Sequence, residues 1–281
     1  MKRILLTLFL AAIFTMQAKA EIITVTDNMI GPDQVVQWTS DNTYILDGFV
    51  YVEDGAELWI EPGTVIKGKP GEASDASALV IARGGKIYAE GTPTKPIIFT
   101  AEADDVNNPN DFIKDDRGLW GGLIVLGRAT INVAGGEENI EGIPVEETRG
   151  VYGGNNDNDN SGVIRFVSIR HGGSNIGADN EINGLSMGAV GSGTTIEYVE
   201  VFANKDDGFE WFGGTVNTKY LVAAFCGDDG YDYDEGFRGK GQFWFSIQDD
   251  LVAGSAGEHD GGTTPEDGQP YAMPVVYNAT Y

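Results

Sequence analysis

Cysteine is almost missing. Cys226 is the only one in 281 residues, so no internal disulfide framework holds the fold. Histidine occurs twice, as His171 and His259, too few to build a zinc site with so little sulfur to help. Basic residues are scarce, 18 Lys and Arg against 43 Asp and Glu, for a formal charge of −25. That balance excludes recognition of a phosphate backbone, and no nucleic-acid partner is expected. Beyond the first residues no apolar run reaches membrane-spanning length, so no transmembrane segment is expected once they are removed. No stretch keeps the i, i+3, i+4 spacing that would place helices between strands. What is abundant is glycine: 40 residues without a collagen period point to many tight turns between short strands.

The first twenty residues read as an export signal. Lys2 and Arg3 precede the apolar run Ile4 to Phe14, and Ala18 and Ala20 are the small residues that a signal peptidase reads. The mature chain then begins at Glu21, with a formal charge of −28 because three cations and no anions leave. An extracellular or bacterial outer-surface location follows as the expectation. Such acidity suits a solvated extracellular protein or a binder of cations.

Internal repetition is the strongest signal. The segment from Ile196 to Gly208 matches Thr218 to Gly230 at a shift of 22, with Tyr198 on Tyr220, Val199 on Leu221 and Asp206-Asp207-Gly208 on Asp228-Asp229-Gly230. A further shift of 22 sets Phe243, Phe245 and Asp250 under Leu221, Ala223 and Asp228. Ile164 to Gly172 repeats the strand pattern 32 residues before the Tyr198 unit. Short strands with Gly/Asp turns at a nearly fixed period, without crossover helices, predict an all-β, right-handed parallel β-helix of about 22-residue coils. A β-sandwich also has many short strands, but it does not explain a register held over successive units. Residues 21–44 are expected to form an N-terminal cap and 45–281 the β-helix, with loop excursions at 102–118 and 134–161. The strand-like run at Tyr281 suggests a further C-terminal region.

Asp47 to Val52, Leu58 to Gly68, Gly91 to Thr100, Trp120 to Gly127 and Lys205 to Gly214 together resemble secreted right-handed β-helix repeat proteins. These belong to the pectin-lyase-like solenoids of Bacteroidetes-type and marine bacteria. The resemblance covers nearly all of residues 40–281 and implies an exported or surface-displayed protein.

The candidate chemistry is acidic. Asp206, Asp228 and Asp250 are expected to stack at one turn, with Asp207 and Asp229 beside two of them. Like charges at the strand spacing of about 4.8 Å repel unless neutralised, and calcium does this through six to eight oxygens. The bland alternative is that Asp-Gly suits a turn whose carboxylate caps backbone N–H groups. Asp232 and Asp234 extend the acidic run, while Asp157 and Asp159 alternate in an Asn/Asp loop lacking the bidentate Glu of an EF-hand. For polysaccharide hydrolysis, Asp206, Asp207, Asp228 and Asp229 are the candidate carboxylates. The Asp-Asp-Gly turns resemble the Asp-Asp motif of polygalacturonase-type hydrolases, whose Gly-His-Gly and Arg-Ile-Lys elements are absent here. For β-elimination, Arg238 and Lys240 are the candidate base and clamp, with charge compensation of nearby Asp residues as the alternative. Trp211, Tyr231, Tyr233 and Phe237 are the candidate sugar contacts, although strand alternation must send about half of them inward. The expected function is calcium-assisted binding of a glycan or cell-surface polymer by a monomer. A polysaccharide lyase or hydrolase, and a structural stalk, are the alternatives.

Overall fold

The computed structural model describes residues 20–177, 180–262, 265 and 267–281; all but the last residue of the expected export signal lies outside them. Over this range the chain winds as a right-handed parallel β-helix. One sheet has twelve strands. Its main path runs from Ile22–Thr26 through Thr43–Asp47, Val65–Gly68, Ile97–Ala101, Gly162–Arg170, Thr195–Phe202, Asn217–Ala224 and Lys240–Ile247 to Val275–Tyr277. A branch of Val35–Trp38, Glu57–Ile60 and Lys86–Glu90 joins at the first half of Gly162–Arg170, whose second half continues Ile97–Ala101. The opposing sheet stacks Phe49–Val52, Ala78–Ile81, Leu123–Leu126, Leu185–Gly188, Phe209–Phe212, Tyr231–Asp234 and Glu258–His259. Residues 21–44 already supply two strands of the stack, in register with Thr43–Asp47 and Glu57–Ile60. Among the described residues no helix is long and apolar enough to cross a membrane.

From residue 162 onward two strands of each coil fuse into one, and a left-handed residue makes the bend. Phe166, Tyr198, Tyr220 and Phe243 occupy this corner with φ between 49° and 59°. A side chain at positive φ costs about 1–2 kcal/mol. Here the rings offset that cost by stacking on one another at centroid distances of 4.5, 4.3 and 4.9 Å. Tyr220→Ala is expected to lose two stacks and keep the strain, destabilising by about 1–3 kcal/mol. Tyr220→Gly should lose less, because glycine adopts the left-handed corner freely. Denaturant unfolding of the two variants checks the order, and a glycine variant no more stable than the alanine one would remove strain from the account.

The 22-residue step holds from Val199 to Leu221 and from Trp211 to Tyr233. It then fails, because Leu221 pairs with Trp244, a step of 23. Five residues separate Asp234 from Lys240 where four separate Phe212 from Asn217. A slip of one residue exchanges the faces of a strand. Trp244 and Ser246 therefore point into the coil, while Phe243 and Phe245 face outward and are 40% and 42% exposed. Asp250 consequently leaves the Asp206/Asp228 column and sits exposed in a turn.

Two cores result. The inner one fills the coils and holds Phe209, Trp211, Tyr231, Phe237 and Trp244, all essentially without solvent contact. The second lies outside the seven-stranded sheet, where the excursions after Leu126 and Arg170 fold back over Val80, Ile124 and Leu126 with Ile140, Ile143, Tyr152 and Ile182. Along this outer face one column reads Tyr51, Val80, Ile124, Ser186, Glu210, Asp232 and Glu258. The covered surface thus turns from apolar to acidic as the coils advance.

Candidate functional site

The acidic end of that column is built by the Asp-Asp-Gly turns. Both turns lead directly into strands of the seven-stranded sheet, so the 22-residue step superposes them. The second Asp of each caps the following coil. Asn183 Oδ1 accepts from the Asp207 N–H at 3.2 Å, Asp207 Oδ1 accepts from the Asp229 N–H at 2.8 Å, and Asp229 Oδ1 accepts from the Ser255 N–H. This is the turn chemistry expected of Asp, and it uses one oxygen of each carboxylate. Asp229 Oδ2 is left buried without a hydrogen-bond partner.

The remaining oxygens converge. Asp206, Asp207 and Asp228 bring carboxylate oxygens within 4.8 Å of one another, and so do Asp207, Glu210 and Asp232. Asp207 belongs to both sets. Burial pushes the Asp207 carboxyl up to about 9, with the charge of Asp206 adding to it. Burial and the neighbouring Glu181 and Asp228 raise Asp206 to about 6. Burial, then Asp234, raises Asp232 to about 7, and Glu210 is driven well above the carboxylate range by burial and then Asp207. Glu141, supplied by the excursion after Leu126, rises to about 7 through burial and then Asp206. Lys205, at the exposed rim, lies 3.7 Å from Glu181. The arrangement offers hard oxygen donors in excess of compensating cations, the donor set that calcium takes.

Other sequence candidates fall elsewhere. Asp157 pairs with Arg238 at 3.0 Å and accepts from the Thr130 N–H at 3.0 Å. Its carboxyl is pushed up by burial, but the bonds from Arg238 and Thr130 outweigh this and hold it below the usual range. Asp159 accepts from the Arg128 N–H at 3.2 Å. Both aspartates pin their loop to the coil and stand outside the two carboxylate sets. Arg238 also donates to the Thr130 carbonyl, and Lys240 begins an exposed strand end on the other sheet, so the two do not assemble as base and clamp. Asp234 sits one outward position beyond Asp232, paired with Phe212 in the ladder.

The aromatic candidates are corrected more sharply. Trp211, Tyr231 and Phe237 are enclosed by the coils, because alternation puts Phe209, Trp211, Tyr231 and Tyr233 on the inward side. Tyr233, partly covered, stacks on His259 at 4.3 Å. None of the first three can meet a ligand. His171 is buried with Nδ1 2.6 Å from the Asp116 carbonyl, and burial raises the Cys226 thiol to about 12.

A second place was not singled out in the sequence. The excursion after Ala101 overhangs the twelve-stranded sheet and encloses a groove of about 350 Å³ lined by Asp104, Phe112, Arg170, His171, Glu200 and Phe202, among others. Arg170 Nε donates to Ser168 Oγ at 2.8 Å, and Ser168 Oγ donates to Glu200 at 2.6 Å. Among the described arginines, Arg170 alone has no carboxylate within ion-pair distance. Glu210 was legible in principle, since it stands 22 residues before Asp232. Glu141 and the groove carry no periodic signal.

The fold and these sites define a parallel solenoid with a carboxylate cluster on one flank and a polar groove on another. The pectate-lyase-like β-helix domain family matches residues 31–281, and the chain belongs to that family. No curated protein and no solved structure matches it.

Proposed function

We propose that this protein is an exported β-helix that binds an acidic glycan, or a surface polymer of like chemistry, in the Arg170 groove and carries calcium at the Asp207 cluster. Arg170 is the observation that carries the reading. In a chain with 43 acidic residues, a guanidinium without a carboxylate partner lines a groove of about 350 Å³. A guanidinium fork matches a carboxylate in two parallel hydrogen bonds. Phe112 and Phe202 provide apolar wall, and Asp104 and Glu200 accept hydroxyls. The mature charge of −28 repels a polyanion at long range, and calcium at the cluster reduces that repulsion.

Calorimetric titration of the mature protein with oligogalacturonide in calcium tests the reading. Binding is expected, and Arg170→Ala should weaken it about 10–100-fold, the worth of a charge-assisted bond. Equal affinity in Arg170→Ala sinks the groove assignment. No binding of any acidic oligomer would favour the stalk.

Asp104 and Glu200, set on different elements of one groove, support a second reading in which the bound chain is cut. Cleavage by elimination leaves an unsaturated, ultraviolet-absorbing end, whereas hydrolysis leaves only a reducing end. Intact oligomer after prolonged incubation would leave binding alone.

A further inference from the structure

We infer that Trp59 is the platform of a separate binding site for a neutral glycan, on the branch of the twelve-stranded sheet and independent of the Arg170 groove. Outward positions of the branch place Gln37, Trp59 and Tyr88 in one column. Tyr88 covers one face of the indole at a centroid distance of 4.0 Å. Glu57 accepts from Nε1 at 3.0 Å, so the ring is held by its face and its edge. Even so the residue is 42% exposed. Depressions of about 210 and 340 Å³ adjoin it. The first is lined by Gln37, Trp59, Glu61, Pro62, Tyr88 and Glu90 with Ile60, the second by Val35, Gln37 and Trp59.

The contrast with the corner ladder decides the assignment. Tyr198 and Tyr220 have both faces covered by neighbouring rings and offer only edges. Trp59 has one ring partner, and its column continues to an amide. Gln37 Nε2 donates to Glu61 at 2.9 Å, which orients its carbonyl oxygen as a free acceptor. An ordered aromatic plate bordered by hydrogen-bonding groups is suited to a pyranose, whose C–H face is apolar and whose rim is hydroxyl. Glu57, Glu61 and Glu90 surround the plate, and neither depression is lined by a cation. Glu90 is shared with Arg165 at 3.8 Å, whereas Glu57 and Glu61 have no cation within ion-pair distance among the described residues. These two accept hydroxyls and repel carboxylated or sulfated sugars. The occupant is therefore a neutral hexose or pentose chain.

The test is calorimetric titration of the mature protein, with chelator present, against cellohexaose, xylohexaose, mannohexaose and laminarihexaose, with oligogalacturonide as the acidic control. At least one neutral oligomer is expected to bind. Trp59→Ala should weaken it by about tenfold or more, Trp59→Phe should retain part of the affinity, and Arg170→Ala should leave it unchanged. A single cooperative melting transition within a few degrees of wild type shows that the coil is intact in the Trp59 variants. Failure of all four oligomers, or full affinity in Trp59→Ala, overturns the assignment. A concentration-dependent dimer that Trp59→Ala abolishes would overturn it too, by giving the plate to a second copy of the chain. Absence of acidic-oligomer binding in the calcium titration would strike the Arg170 groove and not this site.

Discussion

Calcium is expected to raise the unfolding midpoint of the mature protein by about 5–10 °C at a hundredfold excess over its dissociation constant. A ligand bound only by the native state adds about 2.7 kcal/mol there, and each kcal/mol moves a domain of this size by about 2–4 °C. The pH dependence separates calcium from general salt effects. In chelator, the carboxyls of Asp207, Asp232 and Glu141 hold their protons up to about 9, 7 and 7 in the fold. The unfolded chain releases them near 4. Between these values the native state binds more protons, so stability falls as pH rises. The chelated protein should therefore melt higher at pH 5 than at pH 8, and the calcium increment should be largest at pH 8. Asp207→Asn keeps the Oδ1 acceptor for the Asp229 N–H and removes the ionisable group shared by both carboxylate sets. That variant should melt higher than wild type in chelator and lose most of the calcium increment. A midpoint indifferent to calcium at pH 8 would return the Asp turns to capping alone.

Trp211→Ala is expected to destabilise the fold by about 3–5 kcal/mol, the range for truncating a large aromatic in a close-packed core. The indole lies 5.0 Å from the ring of Trp244 and 5.4 Å from that of Phe237, joining successive coils. The cavity cannot collapse without moving a strand pinned above and below by its ladder. Glycan affinity per folded molecule should stay as in wild type, since Trp211 touches no solvent. Trp59→Ala should do the reverse, losing ligand at the cost of a single ring stack, about 0.5–1.5 kcal/mol. Denaturant unfolding paired with titration of both variants checks the exchange. Near-native stability of Trp211→Ala would mean that the inward register is wrong.

The difference between these two tryptophans shows what the sequence can and cannot disclose. Register is local: Tyr198 over Tyr220 and the superposed Asp-Asp-Gly turns are visible because a coil repeats its neighbour's geometry. The step of 23 after Leu221 is not visible, because the extra residue sits in an irregular corner between Asp234 and Lys240. That single residue decides which of Phe243 and Trp244 faces inward. Side also escapes periodicity. Alternation says that Trp211 and Glu210 point oppositely, but not which is inside, and an aromatic run next to carboxylates suits either answer. The Asp cluster was half legible for the same reason. Asp206, Asp207, Asp228 and Asp232 lie on repeating coils, whereas Glu141 arrives from an excursion whose path no repeat dictates. The Arg170 groove depends wholly on such an excursion.

The parallel ladders have a mechanical consequence. Their hydrogen bonds run along the solenoid axis, from each coil to the next. A pull along that axis loads one coil's bonds at a time, and the molecule gives way by peeling. Each released coil frees about 75 Å of contour, from 22 residues at about 3.3–3.6 Å apiece. A pull across the axis would load a whole strand in shear, and the Asp207 cluster, which joins neighbouring coils on the flank, would act as a rivet against both.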